Sequence, residues 1–302
     1  MGSTLSLLKE IYGVPEGVLI DRKIQDLIKS SQSTPTTSKK LQHDDIALII
    51  YPDQLSSELL SSLEILNDFI NQDADFITSV HILPFYPYSS DHDFSVIDYF
   101  QVKKVFGDWL QIKNLAHRKR LMFDGVINHV SSHSKWFKNS LLNKKPYDKY
   151  FITKNDDTSY HKVIRPRTSP LFHSFKMISG DEKKVWTTFS DDQIDLNFAN
   201  SAVLLEILNV LVSYISRGAK MIRLDAIGFM WKQSDTTCIH LKETHQLIQI
   251  FRNIVKSIDP EIIQLPKLMA RIKKTFLILV MVIMRQIWFI ILPYPLYWPM
   301  RF

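Results

Sequence analysis

Leu121-Met-Phe-Asp-Gly-Val-Ile-Asn-His129 is the stretch that sets the architecture. It is apolar up to Ile127 except at Asp124, too continuous for a strand with one wet face, and it ends on two polar side chains, Asn128 and His129. A strand buried on both faces belongs in a parallel sheet covered by helices. Two similar runs precede it: Ile46-Ala-Leu-Ile-Ile-Tyr51, closed by Pro52, and Ile77-Thr-Ser-Val-His-Ile-Leu-Pro-Phe85. A fourth follows at residues 219–227, and a fifth begins at Pro260-Glu-Ile-Ile263. Apolar residues at helical spacing occupy 57–69, 109–118, 203–217 and 242–258 between them. Strand, loop, helix and strand in this rhythm predict βαβ units of an α/β fold.

Polar groups fall at the C-terminal ends of these runs, the positions that converge on the active face of a barrel or open α/β sheet. Asp91 and Asp93 follow the second run, Asn128 and His129 end the third, and Arg223 and Asp225 end the fourth. Taken singly, each has a structural explanation: a loop cap, a satisfied core histidine, an ion pair. Three consecutive strand ends carrying such groups favour a site.

The 302 residues, 45% hydrophobic and 23% charged, suffice for one large domain or two ordinary ones and exclude disorder as the dominant state. The net charge is +6, yet residues 264–302 hold Lys267, Arg271, Lys273, Lys274, Arg285 and Arg301 with no Asp or Glu. The tail therefore carries the whole excess, the body is neutral, and no nucleic-acid partner is expected. Cys238 is the one cysteine, which excludes a disulfide framework or thiolate cluster and points to a reducing, cytoplasmic setting. The first residues lack the long apolar segment of a secretory signal.

The order and spelling of these segments resemble the α-amylase superfamily, glycoside hydrolase family thirteen. Phe123-Asp-Gly-Val-Ile-Asn-His129 and Met221-Ile-Arg-Leu-Asp-Ala226 are similar to its first two signatures. His81-Ile-Leu-Pro-Phe-Tyr-Pro87, Ser89-Ser-Asp-His-Asp-Phe-Ser-Val-Ile-Asp98, Arg165-Pro-Arg-Thr168 and Trp186-Thr-Thr-Phe-Ser-Asp-Asp-Gln-Ile-Asp195 resemble the sucrose phosphorylase branch, and within it the glucosylglycerate phosphorylase-like members. The resemblance covers residues 45–263. It implies the N-terminal part of a (β/α)8 TIM barrel, with a B domain inserted after strand three. It implies Asp225 as a nucleophile forming a covalent glucosyl intermediate, and Arg223 holding that carboxylate ionised. Asp91 and His129 would clamp glucosyl hydroxyls, Phe94 and Phe189 would wall the ring, Gln193 would meet the reacting pair, and Arg167 would lie near phosphate. The implied reaction is retaining transfer of a glucosyl group from an α-glucoside, such as glucosylglycerate or sucrose, to inorganic phosphate as co-substrate. No metal or other cofactor is implied. An amylase-type hydrolase, a non-catalytic sugar-binding protein and a tail-anchored protein are the alternatives.

The expected division is an N-terminal arm and polar linker (1–44), barrel strands one to three (45–130), the B domain (131–186), strand four to the start of strand five (187–263), and a tail (264–302). The retaining mechanism needs a second carboxyl group, which the family carries after strand five in a segment like Ile-Thr-Glu-Thr-Asn. No such segment follows Ile263; the chain instead runs Gln-Leu-Pro-Lys-Leu-Met. Shifting those codons by one base, with permitted synonymous choices, spells Ile-Thr-Glu-Thr-Asn, and later residues can give His-Lys-Glu-Asn. The tail is therefore expected to be a frameshifted translation. Its apolar residues 276–284 are too short and interrupted for a membrane span. The barrel would then be incomplete, with strand one lacking a partner and its edge open, and the chain would be inactive without its acid/base group.

Overall fold

The computed structural model describes residues 3–31, 44–91, 93–155, 159–266, 287–291 and 296–297. Twelve strands and seven α-helices make up the described chain. In order they are α1 (Thr4–Tyr12), α2 (Val14–Ser30), β1 (Asp45–Ile50), β2 (Leu55–Ser56), α3 (Ser62–Gln72), β3 (Ser79–Ile82), α4 (Trp109–Ala116), β4 (Arg120–Val126), β5 (His129–Ser131) and α5 (Lys135–Leu141). There follow β6 (Phe172–Lys176), β7 (Glu182–Trp186), β8 (Gln193–Asp195), α6 (Ser201–Ser216), β9 (Ala219–Asp225), α7 (Lys242–Ile258), β10 (Ile263–Pro266), β11 (Ile287–Ile291) and β12 (Leu296–Tyr297).

The central sheet runs β10-β9-β4-β3-β1-β11, and every neighbouring pair is parallel. From β1 to β10 the strands lie side by side in chain order, each crossover made by a helix, as in one side of a barrel wall. β3 is buried along its whole length and β4 is buried from Leu121 onward. That double burial is why the runs read as continuously apolar. Strand ends are sharper than the sequence periods suggested: β9 stops at Asp225, and the fifth strand starts at Ile263 rather than Pro260.

Two expectations need correction. Residues 4–30, expected as an N-terminal arm, are packed into the helical layer: α1 lies on α7 and α2 on α6, with Leu7, Leu8, Ile20 and Ile24 buried. The two helices approach so closely that a Cβ on Gly17 would stand 2.7 Å from the Lys9 backbone nitrogen, so glycine is required there. Tyr12 also donates to the Phe198 carbonyl at 2.8 Å. The amphipathic stripe of this segment thus completes the helical layer instead of facing water. The second correction concerns β1, whose outer edge is occupied. β11 pairs with it in parallel from Asp45↔Ile287 to Ile49↔Ile291. An open edge of unpaired N–H and C=O groups attracts any β-prone segment, and Ile-Trp-Phe-Ile-Ile is one. The polar residues 32–43, the tail basic residues and residues 276–284 lie outside the described residues. No helix among the described residues is long and apolar enough to cross a membrane.

The insertion after strand three begins at β5, which returns antiparallel against β8, and includes the antiparallel hairpin β6–β7. Its small core is aromatic: Phe137 meets Phe151 and Phe175, while Trp186 packs edge-on against Tyr160 and Phe172. This lobe overhangs the C-terminal ends of the sheet and contributes Gln193 and Asp195 through β8.

Candidate active site

At the C-terminal end of the sheet, three neighbouring strands converge on Asp124. The His81 ring nitrogen Nε2 lies 2.9 Å from Asp124 Oδ2, and Arg223 Nε donates to Asp124 Oδ1. Asp124 is fully buried, so its charge needs both partners. Their grip turns the Arg223 guanidinium so that Nη2 stands 3.9 Å from Asp225 Oδ1 and the guanidinium carbon 5.6 Å from the Phe94 ring centre. Immediately after Asp225, Ala226 is left-handed at φ 52°, a conformation that costs a non-glycine residue on the order of 1–3 kcal/mol and clusters at functional sites. Tyr51, which follows β1, also faces this group. Burial raises its pKa, the Arg223 charge pulls it back, and Asp93 and Asp124 push it up.

Asp225 faces a second cluster built on His129. Gln193 Nε2 donates to Asp91 Oδ2 at 2.9 Å and lies 3.2 Å from His129 Nε2. His129 Nε2 is in turn 3.1 Å from the Phe94 carbonyl. The Phe189 ring packs 5.2 Å from the imidazole. Burial lowers the His129 pKa, against the opposing charges of Asp195 and Asp225. Asp91 and Asp93 are themselves left-handed, at φ 57° and 75°, and Asp tolerates this better than most side chains.

Beneath His129 lies a buried ion pair. Lys232 Nζ is 2.7 Å from Asp195 Oδ2 and 3.0 Å from Asn128 Oδ1. Asp195 also accepts from the Thr188 backbone N–H and hydroxyl, both at 2.7 Å, and from Asn128 Nδ2 at 2.9 Å. At the rim stands Asp192, whose carboxylate accepts from the hydroxyls of Ser89, Ser90, Ser95, Ser131 and Ser132 and from the Ser132 backbone N–H. Burial pushes the Asp192 carboxyl up, but the hydroxyls of Ser132, Ser89, Ser90 and Ser95 together outweigh it and hold its pKa at about 2. The clamp joins the loop bearing Asp91 to β5 and to the start of β8, which bears Gln193. A cavity of about 420 Å³ opens there, lined by Ser89, Ser90, Ser132, His173, Phe175 and Asp192 among others.

Seven of the residues singled out in the sequence come together: Asp225, Arg223, Asp91, His129, Phe94, Phe189 and Gln193. Arg167 does not join them. It is exposed on the 165–170 loop, whereas Arg165 is half-buried, donates to the Pro170 carbonyl and feels the Asp195 charge. Sequence reasoning gave no role to Tyr51, His81, Asp124, Asp192, Asp195 or Lys232. For His81, Asp124 and Asp195 the signal was available as charge inside otherwise apolar or strand-like runs. Lys232 and Asp192 sit in polar loops, where one more charge is unremarked. Among the described residues, no group of three or more His, Cys, Asp and Glu is arranged to hold a metal.

Residues 75–277 match the family described as "Alpha amylase, catalytic domain". The glucosylglycerate phosphorylase of Escherichia coli is 43% identical over 259 residues, covering 84% of this chain and 46% of that protein. The sucrose 6(F)-phosphate phosphorylase of Thermoanaerobacterium thermosaccharolyticum is 34% identical over 212 residues, covering 65% of this chain and 43% of that one. The crystal structure of sucrose 6F-phosphate phosphorylase from Thermoanaerobacter thermosaccharolyticum superposes with a TM-score of 0.69 at 31% identity, over 76% of this chain and 49% of that one. The chain thus spans about half the length of the curated relatives it matches.

Proposed function

The chain belongs to the α-amylase family, and from that membership we propose that its site performs the glucosyl-transfer half of a retaining glycoside phosphorylase. The observation that carries this reading is the convergence of Asp91, His129 and Gln193 beside the Arg223–Asp225 pair at the C-terminal end of a parallel sheet. The Asp225 carboxylate attacks the anomeric carbon of an α-glucoside. The glycosidic C–O bond breaks, and a β-glucosyl ester forms. Phosphate then attacks from the opposite face and releases α-glucose 1-phosphate. Arg223 sets its guanidinium 3.9 Å from the Asp225 carboxylate, while Asp124 and His81 hold Arg223 in place. Asp91 and His129 bind ring hydroxyls, and Phe94 and Phe189 exclude water from the two sides of the ring. Gln193 ties Asp91 to His129. Arg167, exposed on its loop, meets incoming phosphate while Arg165 anchors the loop.

Three relatives named glucosylglycerate phosphorylase, at 43–44% identity, favour glucosylglycerate over sucrose as donor. The same reading has the protein act in the cytoplasm on a small glucoside and phosphate, without metal or organic cofactor, membrane or nucleic acid.

A natural glucoside departs as an alkoxide unless it receives a proton. The carboxylates around Asp225 are committed elsewhere: Asp124 to Arg223 and His81, Asp195 to Lys232, and Asp91 to Gln193. None of these three is free to protonate the leaving group, and the 302-residue chain is expected to turn over best those donors whose leaving group needs no proton. The test is incubation with α-glucosyl fluoride and phosphate. Formation of α-glucose 1-phosphate supports the phosphorylase reading, free glucose in its place supports the hydrolase, and consumption of neither donor nor phosphate by a folded chain contradicts both.

A further inference from the structure

Lys232 is a cation enclosed by protein, its side chain 3% exposed. Two acceptors meet it: Asp195 Oδ2 and Asn128 Oδ1. The Asn128 amide consequently cannot turn over, because its NH2 would then face an ammonium and its oxygen the Asp195 carboxylate. With Oδ1 committed to Lys232, Nδ2 directs one proton to Asp195 Oδ2 at 2.9 Å and the other to His129 Nδ1 at 3.3 Å. A ring nitrogen that faces an N–H offers its lone pair. The proton of the neutral imidazole must then sit on Nε2, and there it meets the Phe94 carbonyl at 3.1 Å, which can only accept. The Phe94 carbonyl, which can only accept, favours the same tautomer at Nε2 as the Asn128 amide does at Nδ1.

We propose that Lys232 is a positioning residue which, acting through Asn128, holds His129 as the neutral Nε2–H tautomer and so fixes the donor that ties this ring to the Asp91–Phe94 loop. A proton added at Nδ1 would set N–H against N–H, which accords with burial holding the His129 pKa down and with the Lys232 charge adding to it. The close approach of Gln193 Nε2 to His129 Nε2 is then two donors converging on one acceptor, the Phe94 carbonyl, rather than a bond between them. The tautomer follows from hydrogen bonding alone; its consequence, a preset N–H beside the bound sugar, rests on the function proposed above.

The test is the two-bond proton–nitrogen correlation spectrum of the 302-residue chain labelled with 15N-histidine, with the His129 signals assigned by their loss in His129→Gln. At neutral pH the expected pattern is a lone-pair Nδ1 and a protonated Nε2. A protonated Nδ1, alone or together with Nε2, overturns the proposal whatever the variants do. Lys232→Met frees the Asn128 amide and is expected to mix the two tautomers, while Lys232→Arg keeps the single pattern; an unmixed Nε2–H signal in folded Lys232→Met removes Lys232 from the account. If that variant does not fold, Asn128→Asp replaces the donor facing Nδ1 by an acceptor and is expected to move the proton to Nδ1. An unmoved proton overturns the relay. A chain with the expected tautomer that forms no product from α-glucosyl fluoride keeps this proposal and loses the functional reading.

Discussion

Asp195 in the floor of the site and Asp192 at its rim lie three residues apart and are stabilised in opposite ways. Asp195 is fully buried and is neutralised by one buried cation, Lys232. Asp192 is half-buried, and it draws its stabilisation from five serine hydroxyls and a backbone N–H. A buried charge without its counter-ion is ruinous, whereas a rim carboxylate can be satisfied by many weak donors, each dispensable. The floor therefore sets an orientation, and the rim gathers three chain segments into one wall.

Breaking the floor has the largest effect. Asp195→Ala leaves Lys232 buried and unpaired, and should cost about 3–5 kcal/mol of stability by urea unfolding. Adding Lys232→Met to that variant should restore part of the loss, because removing both charges is milder than removing one. At the rim, Asp192→Asn keeps an acceptor but turns a donor towards the serines. It should cost about 1–2 kcal/mol and weaken glucose binding by loosening Asp91 and Gln193. Ser90→Ala removes one hydroxyl of several and should cost only about 0.5–1 kcal/mol. The rim also has a pH signature. Its carboxyl is lowered from 3.8 to about 2, so its contribution is complete above about pH 4 and lost as pH falls through about 2. The stability gap between wild type and Asp192→Asn should be constant from pH 7 to 5 and close below pH 4. A gap that is unchanged at pH 2.5 would mean that the serines do not stabilise the charge.

Much of the sheet was legible because β1, β3, β4 and β9 are buried on both faces and interrupted only by helices of plain amphipathic spacing. Their polar ends were legible for the same reason: Asp91, His129 and Asp225 stand out where an apolar run stops. What lies between them was not. That Asp124 serves Arg223 and His81 at once depends on the parallel register of three strands, which no local pattern encodes. The Asp192 clamp joins residues about a hundred positions apart in sequence. Arg167 was assigned by resemblance, and only the folded loop separates its exposed side chain from the half-buried Arg165. The N-terminal helices had an amphipathic start legible in the sequence, but that their stripes dock on α6 and α7 is a long-range contact no local pattern encodes. In the tail, β11 fills the edge of β1, although the residues were read as a translation out of frame. That expectation is checked by sequencing the gene across codon 263. A single-base change followed by an open frame spelling the Glu and His-Asp segments sustains it, and a confirmed frame with no such sequence downstream removes it.

The most direct test of the site is the covalent ester itself. Attack of Asp225 on α-glucosyl fluoride breaks the C–F bond without a proton donor, so the glucosyl group should stay on the enzyme when phosphate is withheld. After rapid acid quenching, peptide mass mapping should find one added glucosyl unit on the peptide containing Asp225 and none in Asp225→Asn. A glucosyl unit on any other carboxylate, or an equal label in the Asp225→Asn chain, would contradict the assignment of Asp225 as the nucleophile.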